Sequence, residues 1–175
     1  MCLKLIVAVL LISLGFTLLN AEKLLPGDDN ETIINKLKAN ADTLKIVTEI
    51  AKQEDNSVLQ MGFKSNEPGE IYKAVLVFSS LQIPSQNEKK YSIVLIYLFT
   101  NIEISKDKSK VIDLINQFHN DYWSGTFSID EKNRVKGKIT VLIPPEGISP
   151  NSAFAASMFL MQGWEILFQN LKPYI

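Results

Sequence analysis

Apolar and polar positions alternate most clearly over residues 107–171, which read as helix, β-hairpin, helix. Val111, Leu114, Ile115, Phe118 and Tyr122 recur at helical spacing, with Asp113, Asn116, Gln117 and Asn120 opposite them. Strands over 125–129 and 135–143 flank the polar turn Asp130-Glu131-Lys132-Asn133. Ser149-Pro150 opens a last helix over 150–171, because serine can satisfy free N–H groups and proline fits the first helical position.

Upstream, residues 22–30 are polar, contain Pro26-Gly27 and read as a flexible lead-in. Ile33, Leu37, Ala41, Leu44, Val47 and Ala51 then follow a helical period, which predicts one helix from residue 31 to a polar turn at 53–56. Asn40 and Asp42, weak helix formers, mark a fray or bend within it. Three strands are expected next, over 58–63, 71–78 and 91–99. The first alternates through Leu59, Met61 and Phe63; the other two are nearly continuous runs of β-branched and aromatic residues. Such runs suit central strands covered on both faces, or strands at a subunit contact. A turn at 64–70 and a polar connection at 81–90 separate them. The expected order is helix, three strands, helix, two-strand hairpin, helix. That pattern is a single α+β domain over 31–175, with a mainly antiparallel sheet packed by helices.

The last helix is apolar almost all round. Ala153, Ala156, Leu160, Trp164, Leu167 and Leu171 form one stripe; Phe154, Met158, Met161 and Phe168 form a second. A helix with so narrow a polar edge is either deeply buried or shares a surface with a partner. Its methionines suit an adaptable contact surface. Phe154, Met158, Met161 and Phe168 on this helix, with Tyr91 and Tyr97 on the strand over 91–99, are the candidate partner contacts.

Residues 1–21 carry a targeting pattern. Lys4 supplies a positive start, residues 5–19 are apolar, and Asn20-Ala21 ends in a small residue before acidic Glu22. The apolar run is short of the ~20 residues a spanning helix needs, so the reading is a cleaved secretory signal, with membrane attachment only through an uncleaved one. The expected destination is the periplasm or the exterior. Cleavage after Ala21 removes Cys2, the single cysteine.

Composition narrows the chemistry. A net charge of −1 offers no electrostatic footprint for nucleic acid. One cysteine and one histidine, His119, make no zinc cluster, and no phosphate loop, nucleophile elbow or HExxH pattern occurs. A Ser-His-Asp set is arithmetically open through His119, and Asp28-Asp29 and Asp130-Glu131 are paired carboxylates in turn-like surroundings. None of these forms a catalytic motif. No catalytic residue, cofactor or metal is assigned.

The stretch 110–148 also resembles the YbjN family, whose fold is similar to that of type III secretion chaperones. The likeness rests on a helix, then Gly125-Thr126-Phe127-Ser128-Ile129-Asp130, then a strand closing in Pro145-Glu146-Gly147-Ile148-Ser149. Phe118 stands near the family's Trp, Ser124 replaces a Phe, and Ile148 replaces a second glycine. The resemblance implies a binding or regulatory module with no established chemistry. The expectation is therefore an exported, non-enzymatic module for a protein partner, with a homodimer as one arrangement. The alternatives are an envelope small-ligand sensor and a carboxylate-based enzyme.

Overall fold

The structure, a computed structural model, describes residues 22–64, 73–83, 91–122 and 125–175. The first helix, α1 (Asn30–Thr43), starts where Asp29 accepts the Thr32 N–H at 2.7 Å. It buries Ile33, Ile34, Leu37 and Ala41 on one side. The helix stops eight residues before Ala51, contrary to the periodicity. Lys45 takes a left-handed φ of 59°, its N–H bonds to the Asp42 carbonyl, and the Ile46 N–H reaches back to the Ala41 carbonyl at 2.8 Å. These bonds satisfy the last carbonyls and turn the chain out of the helix, while Ile46 packs onto the core. Val47, placed by the helical period on the apolar face, is 89% exposed.

The residues beyond the cap form an additional strand, β1 (Glu49–Gln53), which pairs with β2 (Asn56–Lys64) through a tight turn at Glu54 and Asp55. Four strands therefore follow the first helix, not three. β3 (Lys73–Ile83) and β4 (Tyr91–Glu103) are each longer than their apolar runs indicated. The expected turn at 64–70 and connection at 81–90 lie largely outside the described residues. Next come α2 (Lys108–Asp121), the hairpin β5 (Thr126–Ile129) and β6 (Arg134–Ile143), and α3 (Pro150–Leu171), capped by Ser149 as its sequence predicts. A short 3-10 turn, Lys172–Tyr174, ends the chain.

The six strands make one antiparallel sheet in the order β1-β2-β3-β4-β6-β5, giving an α+β fold. α1 packs on β2 and β3, α3 on β6 and β4, and α2 on β5. The core is built from one face of the sheet: Leu59 and Met61, Leu76 and Phe78, Val94, Ile96 and Leu98, then Phe127, Val135 and Ile143. Trp164 and Leu160 of α3 fill its centre, and Phe78 meets Phe154 with ring centroids 5.4 Å apart.

The lead-in at 22–30 makes several contacts with the rest of the domain. Leu24 is fully buried and exchanges two backbone hydrogen bonds with Ile148, at 2.8 and 3.0 Å. Ser92 Oγ donates to the Pro26 carbonyl, and Lys36 Nζ bonds to Asp28 at 2.8 Å and Glu22 at 3.2 Å. Burial works against the Lys36 charge, but the two carboxylates outweigh it and hold the ammonium pKa above its ordinary value.

Candidate partner-binding face

Side chains on a strand alternate between faces, so the residues of β3 and β4 that miss the core must point the other way. These are Val75, Val77, Ser79, Leu81 and Ile83 on β3, and Tyr91, Ile93, Leu95, Tyr97 and Phe99 on β4. The register sets them side by side: Val75 with Phe99, Val77 with Tyr97, Leu81 with Ile93, and Ile83 with Tyr91. β6 extends the face with Lys136, Lys138, Thr140 and Leu142, and β2 with Gln60 and Gly62. None of these apolar residues belongs to the helix-covered core cluster, although Val77 is itself buried. Leu81 is 55% exposed, Leu142 54% and Phe99 43%. Among the described residues, no helix covers this face.

The face has internal order. Tyr97 stacks on Phe99 with ring centroids 6.1 Å apart, and the Lys138 ammonium lies 5.6 Å over the Tyr97 ring. Such a cation–π contact fixes the ring while leaving the charge in water. One row of register partners crosses the entire sheet, running Glu49, Gln60, Val77, Tyr97, Lys138, Thr126 from β1 to β5. It carries a carboxylate near one end, apolar groups at the centre and an ammonium near the other.

Tyr91 and Tyr97, expected as contacts, both lie on this open face, half-buried among their neighbours. The helix candidates separate. Phe154, Met161 and Phe168 are buried in the monomer's own core, so their stripe faces the sheet and not a partner. Met158 is half-buried beside them. The large apolar residues that α3 exposes are Phe159 and Ile166, which neither apolar stripe included. Gly137 of β6 has no side chain, which leaves room for Phe127 and, from the first stripe of α3, Leu160 to close over it. The signal for the open face was present in the continuous apolar run of β4. A strand with only one covered face can bury half of such a run.

His119 has a structural use. Its Nε2 accepts the Phe127 backbone N–H at 2.8 Å, fastening α2 to β5, and its ring lies parallel to that of Phe127. The nitrogen that a catalytic base would offer to a nucleophile is thus occupied by the main chain. Asp130 binds the backbone and guanidinium of its own turn. Asp28 and Asp29 serve the lead-in and the α1 cap. Among the described residues, no three His, Cys, Asp or Glu side chains are grouped to hold a metal, and no helix is long and apolar enough to cross a membrane. Neither a protein-family model nor a curated protein matches the chain.

Proposed function

We propose that this chain is an exported, non-enzymatic protein-binding module with a secretion-chaperone-like fold, released from a cleaved signal over residues 1–21. The open apolar face of the sheet carries this reading. A contiguous patch built on Val75, Leu81, Ile83, Ile93, Phe99 and Leu142, rimmed by lysines, has the composition of a contact surface. Binding here is burial of that patch by apolar partner surface, with Tyr97 as the rigid aromatic anchor at its centre.

The resemblance to the YbjN family supports the same class of function, and the succession of helix, strands, helix, hairpin and helix is compatible with it. The fold alone would not assign a role. Affinity capture by the tagged protein from its own cell envelope tests the proposal. The expected result is a stoichiometric bound protein, this chain or another, lost when Leu95→Lys places a charge on the face of a variant that still melts like the parent. A folded protein that retains its partner despite this change, or that captures none, overturns the assignment.

A further inference from the structure

We infer that the occupant of the open face is an amphipathic helix of a partner protein, lying along β4 and β6 with an apolar stripe that ends in carboxylates. The inference rests on the binding reading above and states the partner's chemistry.

The face changes character along its strands. On the β4–β6 ladder the outward pairs run Ile93 with Leu142, Leu95 with Thr140, Tyr97 with Lys138, and Phe99 with Lys136. β3 continues each half, with Leu81 beside Ile93 and Val75 beside Phe99. One half is therefore aliphatic and uncharged; the other is aromatic and cationic. Lys73, two positions before Val75 on the same face, sets a third ammonium diagonal to Phe99. All three lysines are exposed, and among the described residues none of them is ion-paired. Lys138 lies over the Tyr97 ring, a contact that leaves its charge in place. The carboxylates on this side of the sheet stand elsewhere. Glu49 is on β1, three places from β4 in the strand order, and Glu103 is opposite Arg134. In a chain of net charge −1 the cationic half is a local excess, and carboxylates complement it.

Backbone chemistry selects a helix. β3 and β4 are paired on both sides, so their main-chain groups are committed within the sheet. An extended segment laid on the face would find no main-chain partner there and would bury polar groups unpaired. A helix satisfies its own backbone and offers one stripe to the sheet. Among the described residues helices cover one face only, and a helix on the second would complete a three-layer arrangement. Dimensions agree. The outward pairs from Ile93 to Phe99 span ~20 Å, which is about 14 residues of helix. Successive pairs are ~6.8 Å apart and helical residues four apart rise ~6 Å, so one stripe residue meets each pair. Read along β4, the stripe is apolar, apolar, acidic, acidic.

The test is fluorescence anisotropy with protein recovered from cells that express the full chain. The probe is a stapled helical peptide of about 14 residues whose stripe reads Leu, Leu, Glu, Glu; its control carries lysine at both glutamate positions. The acidic probe should bind, and the control should bind ~10-fold more weakly at low salt, with the difference shrinking as salt rises. Lys136→Glu with Lys138→Glu should weaken the acidic probe by ~3- to 10-fold and tighten the control. Leu142→Glu, at the aliphatic end, should weaken both peptides. Equal binding of the two peptides overturns the inference, as does an acidic probe indifferent to the lysine changes. Failure of either peptide to bind overturns it too, whether the face is then found closed by a second copy in sedimentation or taken up by vesicles of phosphatidylcholine and phosphatidylglycerol. If a captured envelope protein is nevertheless lost on Leu95→Lys, the acidic helix falls and the binding function stands.

Discussion

His119 Nε2 accepts the Phe127 backbone N–H at 2.8 Å, so one side chain of α2 supplies a hydrogen-bond acceptor to β5. β5 is a four-residue edge strand, and its outer N–H groups have no further strand to bond. The ring must keep Nε2 without a proton to accept, which places the neutral ring's proton on Nδ1. His119→Ala should cost ~1 kcal/mol in urea unfolding, the usual net value of such a bond, with added loss from the vacated ring contact with Phe127. His119→Gln, which supplies an amide oxygen, should recover part of the loss. Nitrogen NMR should find Nε2 unprotonated in the neutral protein. Equal stability of all three proteins would remove the brace.

Asp130 gives the hairpin an acid-sensitive turn. The Arg134 backbone N–H does most to hold its carboxyl pKa below the ordinary value; burial opposes this but is outweighed by the Arg134 guanidinium and the Lys132 N–H. The charged form is therefore favoured in the folded state. Its contribution to stability is present above the unfolded carboxylate value of ~3.9 and is lost as pH falls through the lower folded value. Asp130→Asn should lower stability at neutral pH and flatten the fall in stability below about pH 4. Denaturant titrations across that range, parent against variant, measure the difference.

The end of α1 should yield to a better residue. Lys45 sits at φ 59°, where a side chain is strained and glycine is not. Lys45→Gly should raise stability by ~0.5–1 kcal/mol, since the position is the left-handed cap and the lysine is exposed. A fall in melting temperature would mean that the cap is not held in this conformation.

The same cap explains which part of the fold was hidden in the sequence. Leu44, Val47 and Ala51 continue the helical period of Ile33, Leu37 and Ala41 by coincidence, and lysine is not the residue that announces a left-handed stop. The competing signal was local: Ile46, Val47, Thr48 and Ile50 are β-branched, which favours a strand. Downstream, α2, the β5–β6 hairpin and α3 followed their patterns because Asp130, Ser149 and Pro150 mark boundaries chemically.

The candidate surface was legible only in part. Tyr91 and Tyr97 belong to an apolar strand that can bury one side of itself, so surplus apolar surface was implied. Periodicity could not say that both apolar stripes of α3 would face the core while Phe159 and Ile166 stayed exposed. Phe154, Met161 and Phe168 are as apolar as Phe159 and Ile166, and only packing against Phe78 and the other core residues of the sheet distinguishes them.

Gly137 is where that packing can be tested. A Cβ at this position would lie 2.8 Å from the Phe127 ring and 3.1 Å from Leu160, both on the core side of the sheet. Phe127 is the cross-strand partner of Gly137, so its ring lies over the glycine and meets Phe118 edge-on at 5.4 Å. Gly137→Ala must therefore displace Phe127 or Leu160, at ~1–3 kcal/mol for overpacking. Displacement of Phe127 would also pull its N–H from His119. The loss in Gly137→Ala, measured by urea unfolding, should be smaller when His119→Ala is already present, because the two changes share that bond. Strict additivity would show that the ring over Gly137 and the bond to His119 are independent.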